Sequence, residues 1–235
     1  MRTAEPRRNR VTPTGEIVAV ELRGAWTGNR GILHRDEGAG ARIVRSHAGI
    51  AWIICRLRFG DRRIPQWSPG HYTPLFFLDE AVALAAGHRP CAQCRRAAFR
   101  SFLTAAGTRH APELDRVLDE QRRIPRTCRR RWHDRPWAGL PDGTFVGRAG
   151  DPDGRPDGPW LVLGDRLIAW TPAGYGRAEP RPIRGRARVL TPPATVAALH
   201  AGYRVQIDDA ARRPAGQTGP GTRSTADGSS SATDR

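Results

Sequence analysis

Hydrophobic periodicity along this chain comes in short pieces, some with the two-residue repeat of a strand and some with the 3.6-residue repeat of a helix. Residues 16–22 alternate apolar and polar positions and stop before a turn-rich stretch at 24–30, so they read as a strand. Residues 32–34 and 41–44 are weaker strand signals, while 51–59 is a stronger one. In that run the alternation puts Ile53, Cys55, Leu57 and Phe59 on one face and Arg56 and Arg58 on the other, which points Cys55 inward. Residues 73–78 form an apolar strand, after which Asp79 is placed to cap a short helix that runs to Ala86 and ends at Gly87.

Beyond Arg89-Pro90 a second helix is predicted from near Cys91, through Phe99, Phe102 and Leu103, to Gly107. A third, over 112–122, carries Leu114, Val117 and Leu118 at helical spacing. From Leu140 the pattern turns to short β pieces at 144–146, 160–163 and 167–170, the last two joined by a Gly164-Asp165 turn. A strand at 186–190 and a closing helix at 193–201 complete the pattern. Runs of strands around a helical middle predict an α+β fold, with a strand–helix–Cys-x-x-Cys–helix unit and a β-rich C-terminal half. The expected organisation is a disordered N-terminus over 1–15, a first region over 16–135, a β-rich region over 136–207 and a disordered tail over 208–235.

A length of 235 residues excludes a large multidomain machine, and no apolar run approaches the roughly 18 residues that span a bilayer. The first ten residues are arginine-rich without a following apolar segment of signal-peptide length, so a cytoplasmic protein with no membrane partner is expected. Its formal charge is +16, and every one of its 39 basic residues is arginine. Two readings stand open. Arginine grips phosphate with a two-pronged fork and stacks on bases, which suits a nucleic-acid partner, whereas a compositional habit of the genome would yield the same excess with no partner.

Placement of the charge separates them in part. Residues 89–135 hold thirteen arginines against five acids, a net of +8 in 47 residues. Arg129, Arg130 and Arg131 are followed by Trp132, a combination that serves phosphates and base faces together. With Arg89, Arg95 and Arg96 they form the candidate nucleic-acid-binding set, and DNA is the expected partner; the competing reading is a solvated basic face. No phosphate-cradling glycine loop, Gly-x-Ser-x-Gly or His-Glu-x-x-His occurs.

In a reducing compartment, cysteines spaced Cys91-Ala-Gln-Cys94 at the start of a helix suit Zn²⁺, because the side chains converge and the helix end and neighbouring arginines favour thiolates. A redox pair is the weaker reading, since no βαβ context surrounds them. The run Leu75-Phe-Phe-Leu-Asp-Glu-Ala-Val-Ala-Leu-Ala-Ala-Gly-His-Arg-Pro-Cys-Ala-Gln-Cys94 resembles the second half of the Ada-type zinc-binding domain of bacterial DNA-repair proteins. Ala86, Gly87, Arg89, Pro90, Cys91 and Cys94 fall on that family's pattern, with His88 at an aromatic position. The resemblance covers some 20 residues and implies that Cys91 and Cys94 are one pair of zinc ligands. The family's other pair is a Cys-x-x-x-Cys; here Cys55 is present but Phe59 stands four residues later.

Cys55 is therefore the third expected ligand, and His71, His88, Cys128 or water the fourth, with His71 the first choice. In the family a zinc-bound thiolate accepts a methyl group from DNA; Cys55 is the residue that would do so here. The expected function is that of a zinc-binding protein with a structural metal and a nucleic-acid partner. The alternatives are a zinc-dependent hydrolase, a methyl-accepting repair protein, or a metal-stabilised interaction module. The wider pattern, from Trp26-Thr-Gly-Asn-Arg-Gly-Ile-Leu-His34 to Trp170-Thr-Pro-Ala-Gly-Tyr175, is similar to a bacterial protein family, which implies a single α+β unit and no particular chemistry.

Overall fold

A computed structural model describes residues 6–36, 41–61, 67–124, 127, 129–148 and 157–213, and in it the short apolar runs become short strands. In the first part these are β1 (Arg8–Val11), β2 (Ile17–Ala19), β3 (Trp26–Asn29), β4 (His34–Asp36), β5 (Ala41–Ile43), β6 (Ile53–Arg56), β7 (Leu75–Phe77) and β8 (Arg89–Pro90). Six of them form a mixed sheet in the order β2-β1-β7-β3-β6-β8, while β4 and β5 make a separate two-stranded ribbon. Within the large sheet β1 runs parallel to β7, and β6 parallel to β8. The second sheet is antiparallel throughout: β9 (His133–Pro136), β10 (Phe145–Arg148), β11 (Asp157–Leu163), β12 (Arg166–Thr171), β13 (Gly174–Pro180) and β14 (Arg186–Val189), in the order β13-β12-β11-β10-β14-β9.

Helix α1 (Glu80–Ala85) is buried along its whole length, and its small apolar face packs with residues of both sheets in one hydrophobic cluster. Ile54, Leu75 and Phe77 from the first sheet and Phe145, Leu161 and Ile168 from the second meet there. The two sheets therefore share a core, and β9 crosses the expected 135/136 boundary. Helices α2 (Arg96–Ala105), α3 (Ala111–Arg122) and α4 (Pro193–His200) build a second cluster around Phe102, Leu114, Leu118 and Tyr203. The architecture is mixed, with four α-helices and two six-stranded sheets among the described residues.

Several expectations change. The N-terminal stretch is not disordered from residue 8 onward: β1 pairs with β2 and β7, burying Asn9 and Val11 while Arg8 and Arg10 donate to the carbonyls of Ile17 and Leu22. One buried hydrophobe among arginines left no readable alternation. The strand expected over 51–59 ends at Arg56, with Leu57 and Phe59 exposed. Its core-facing residue is Ile54, so Cys55 lies on the opposite, half-buried face rather than pointing inward. Helix α2 begins after both cysteines, because the Cys91 N–H is engaged by the Ile54 carbonyl at 2.9 Å and extends the β8 ladder. In the expected tail, Asp209–Arg212 forms a 3₁₀ turn that buries Ala211; residues 1–5 and 214–235 lie outside the described residues.

Asp79 ties the elements together. Its Oδ1 caps α1 by accepting the Val82 N–H at 2.8 Å, and its Oδ2 accepts the Tyr175 hydroxyl at 2.8 Å and the Asp208 N–H at 2.9 Å. Burial pushes its carboxyl up to about 6, so the folded state holds this proton more tightly than the unfolded chain. The contribution of Asp79 to stability is thus largest at low pH and falls as pH rises through 6. Asp79→Ala is expected to destabilise the protein by on the order of 2 kcal/mol near pH 5, with a smaller loss near pH 7.5, measured by urea unfolding at the two pH values.

Candidate metal centre

Strand pairing sets up the cysteine site. The parallel register of β6 and β8 places Ile53 opposite Arg89 and Ile54 opposite Pro90, so Cys55 and Cys91 continue side by side beyond the last paired residues. A turn closed by the Arg95 N–H on the Cys91 carbonyl, 3.1 Å, then swings Cys94 back towards them. The sulfur atoms of Cys55, Cys91 and Cys94 all lie within 4.8 Å of one another, as free thiols. Backbone N–H groups of Arg56 and Gln93 donate to the sulfurs of Cys94 and Cys91, each at 3.4 Å. Such donors favour thiolate over thiol.

Within the trio the pKa of Cys91 is lowered, chiefly by a hydrogen bond from Cys55. That same bond, then burial, pushes the Cys55 thiol up, and burial raises Cys94. Three thiols competing to ionise in so small a space are the electrostatic setting that a cation resolves. A space of about 30 Å³ adjoins them, lined also by Tyr72, Gln93, Leu57 and Phe59, enough for one ion or one water. The donor set therefore fits a soft or borderline metal such as Zn²⁺.

Of the fourth-ligand candidates, none of the described ones stands in the cluster. His71 is exposed, with Nδ1 3.1 Å from the Pro69 carbonyl. His88 is fully buried elsewhere: its Nδ1 donates to the Ala83 carbonyl at 3.2 Å, and its Nε2 accepts from Arg30 at 3.2 Å. It packs edge-on against Phe77, and burial beside Arg30 and Arg122 holds its pKa well below the usual imidazole value. Cys128 lies outside the described residues.

The arginines singled out by charge divide in two. Arg89 is buried in a two-pronged pair with Asp115, at 2.7 and 2.8 Å, and Arg95 is buried against Glu80 at 2.6 Å with its guanidinium over the Trp26 ring. Both are committed to the interior, and neither is presented to a phosphate. Arg96 and Arg129 are exposed, and Arg131 half-buried. Arg129, Arg130 and Trp132 line a cleft of about 780 Å³ together with Arg30, Arg45 and Trp52. Arg30 and Arg45 went unnoticed in the sequence; the one signal for Arg30 is its place between a strand and Gly31, whose φ of 93° demands glycine.

No helix among the described residues is long and apolar enough to cross a membrane. The chain matches no protein-family model, no curated protein and no solved structure. The contrast between buried and exposed arginines gives a direct check. Arg89→Ala, which strands Asp115 in the interior, is expected to cost at least about 3 kcal/mol, whereas Arg96→Ala stays within about 0.5 kcal/mol in the same denaturation assay.

Proposed function

We propose that this chain is a zinc-binding protein whose metal, held by Cys55, Cys91 and Cys94, is structural, and whose exposed arginine face binds nucleic acid. The observation that carries the metal reading is the convergence of three thiols from two distant segments within 4.8 Å. The local resemblance of residues 75–94 to the Ada-type zinc domain supports the same pair, Cys91 and Cys94. A structural role suits the place of the site: it would clip the end of β6 to the turn between β8 and α2, just beyond the last paired residues of the ladder. The nucleic-acid reading is supported by the exposed Arg96 and Arg129, the local net charge and the arginine-lined cleft, which favour phosphate-backbone contacts over base reading.

A second reading has its own observation. With three sulfurs and no fourth His, Cys, Asp or Glu in the cluster among the described residues, a metal here would have an open position for water, as hydrolytic zinc sites do. Cys55 is the most exposed of the three residues, and although its thiol is pushed up in the metal-free trio, a bound cation would hold it as the thiolate that a methyl acceptor needs.

Elemental analysis is expected to return one zinc per chain, falling to a small fraction of that after Cys91→Ser or Cys55→Ser; zinc retained in both variants contradicts the ligand set. Affinity for a random DNA duplex is expected to fall steeply with salt, and Arg96→Ala and Arg129→Ala each to lower the log–log salt slope by about one. Binding indifferent to salt contradicts the backbone-contact reading.

A further inference from the structure

The cleft beside the cysteine-bearing sheet concentrates positive charge that the carboxylates among the described residues do not balance. At its floor, Arg30 is 1 % exposed, and its guanidinium donates to carbonyls of Gly15 at 2.8 Å and Ser46 at 3.4 Å and to His88, with no carboxylate among the described residues. One of its terminal nitrogens, NH2, is buried without any hydrogen-bond partner while the side chain lines the cleft. Arg122 lies alongside, the two guanidinium carbons being 3.8 and 3.9 Å from the Trp52 ring centre. Arg130 turns its two terminal nitrogens to the carbonyls of Ala85 and Ala86 at the end of α1 and of Leu190 just past β14.

Among the described residues one carboxylate, Asp119, pairs with this group, and it is shared between Arg122 and Arg123. The chain's other buried arginines are treated differently: Arg89 has Asp115, and Arg95 has Glu80. Burial and mutual repulsion accordingly press on the unpaired ones, lowering Arg30 and pushing Arg130 down to about 9. An unpaired buried cation is among the costliest groups a fold can keep, and an anion from outside would remove the cost.

The rest of the cleft indicates which anion. Among the described residues seven arginines and one carboxylate, Glu16, line it, and Arg45 and Arg129 stand exposed. Its volume of about 780 Å³ is that of a site for a small organic molecule, with Trp132, Ile43 and Val44 supplying apolar wall. We propose that the cleft binds a phosphate monoester, whose near-dianionic charge and three acceptor oxygens match forked donors from several arginines where a single carboxylate would not. This deepens the nucleic-acid reading, on which it rests for one of the two sources of such a group: the terminal phosphate of a strand, or a free mononucleotide.

Calorimetric titration of the full chain at constant ionic strength tests it, with inorganic phosphate, adenosine 5′-monophosphate, and an oligonucleotide carrying either a 5′-phosphate or a 5′-hydroxyl. Phosphate and the mononucleotide are expected to bind saturably where added chloride does not. If strand ends are the source, the phosphorylated oligonucleotide binds at least about tenfold more tightly than its hydroxyl twin. If free nucleotides are, the two oligonucleotides bind alike and the mononucleotide still binds. Arg30→Met is expected to weaken phosphate at least about tenfold, and the surface pair Arg45→Ala/Arg129→Ala to weaken it to a similar degree. Should Arg30→Met fail to fold, the surface pair decides. Phosphate binding no stronger than chloride, or unchanged in the surface pair, overturns the proposal. If the duplex still binds with a steep salt dependence, the nucleic-acid reading survives that result; if that is lost too, both fall.

Discussion

A carboxylate buried at the start of α1 holds the parts of this molecule in register. Glu80 is 1 % exposed, and its Oε1 accepts from the Arg95 guanidinium and the Tyr203 hydroxyl, each at 2.6 Å, while Oε2 accepts the Gln206 N–H at 3.0 Å. A charge so placed is tolerable only when it is paired and hydrogen-bonded at both oxygens, so the three donors are fixed as firmly as the carboxylate itself. Arg95 directly follows Cys94 in the chain, and the pair thus anchors the cysteine turn to the central helix. Tyr203 and Gln206 bring in the segment after α4, and Asp79 next door brings in Tyr175 of the second sheet.

The same helix explains the arginines at its other end. Its last carbonyls, at Ala85 and Ala86, and the Gly87 carbonyl just beyond, have no partners within so short a helix, and Arg130 and Arg122 supply them. Gly87 sits at φ 88° with Arg122 against it: a Cβ there would stand 2.6 Å from the Arg122 Cδ, so glycine is required by conformation and by packing together. Arg89, Arg95, Arg122 and Arg130 thus act as interior polar groups that satisfy helix ends and carboxylates. What distinguishes the cleft is that there, among the described residues, arginines outnumber the carboxylates that could balance them.

Local features were legible in the sequence and distant pairings were not. The Asp79 cap, the short helix ended by Gly87, the hairpin at Gly164 and α3 all follow from neighbours within a few residues, and they appear close to their expected bounds. The Cys-x-x-Cys spacing likewise marked Cys91 and Cys94 as candidate ligands. Cys55 was drawn in only by a family likeness, and its orientation was misread, because the face a short strand buries depends on what packs on it. Arg89 and Arg95 looked like surface charge; their partners Asp115 and Glu80 stand 26 and 15 residues away and meet them only through the tertiary fold. Arg30, alone in its segment, carried no charge pattern to notice.

Everything proposed for the metal depends on the fold bringing Cys55 to Cys91 and Cys94 as one ligand set. X-ray absorption at the zinc edge of the metal-loaded protein counts the neighbours of the ion directly. The account predicts three sulfur atoms at about 2.3 Å and one lighter atom, oxygen or nitrogen, at about 2.0–2.2 Å. Two sulfurs or fewer, or a zinc ion bound only through lighter atoms, would show that the trio does not act as one ligand set and would contradict it.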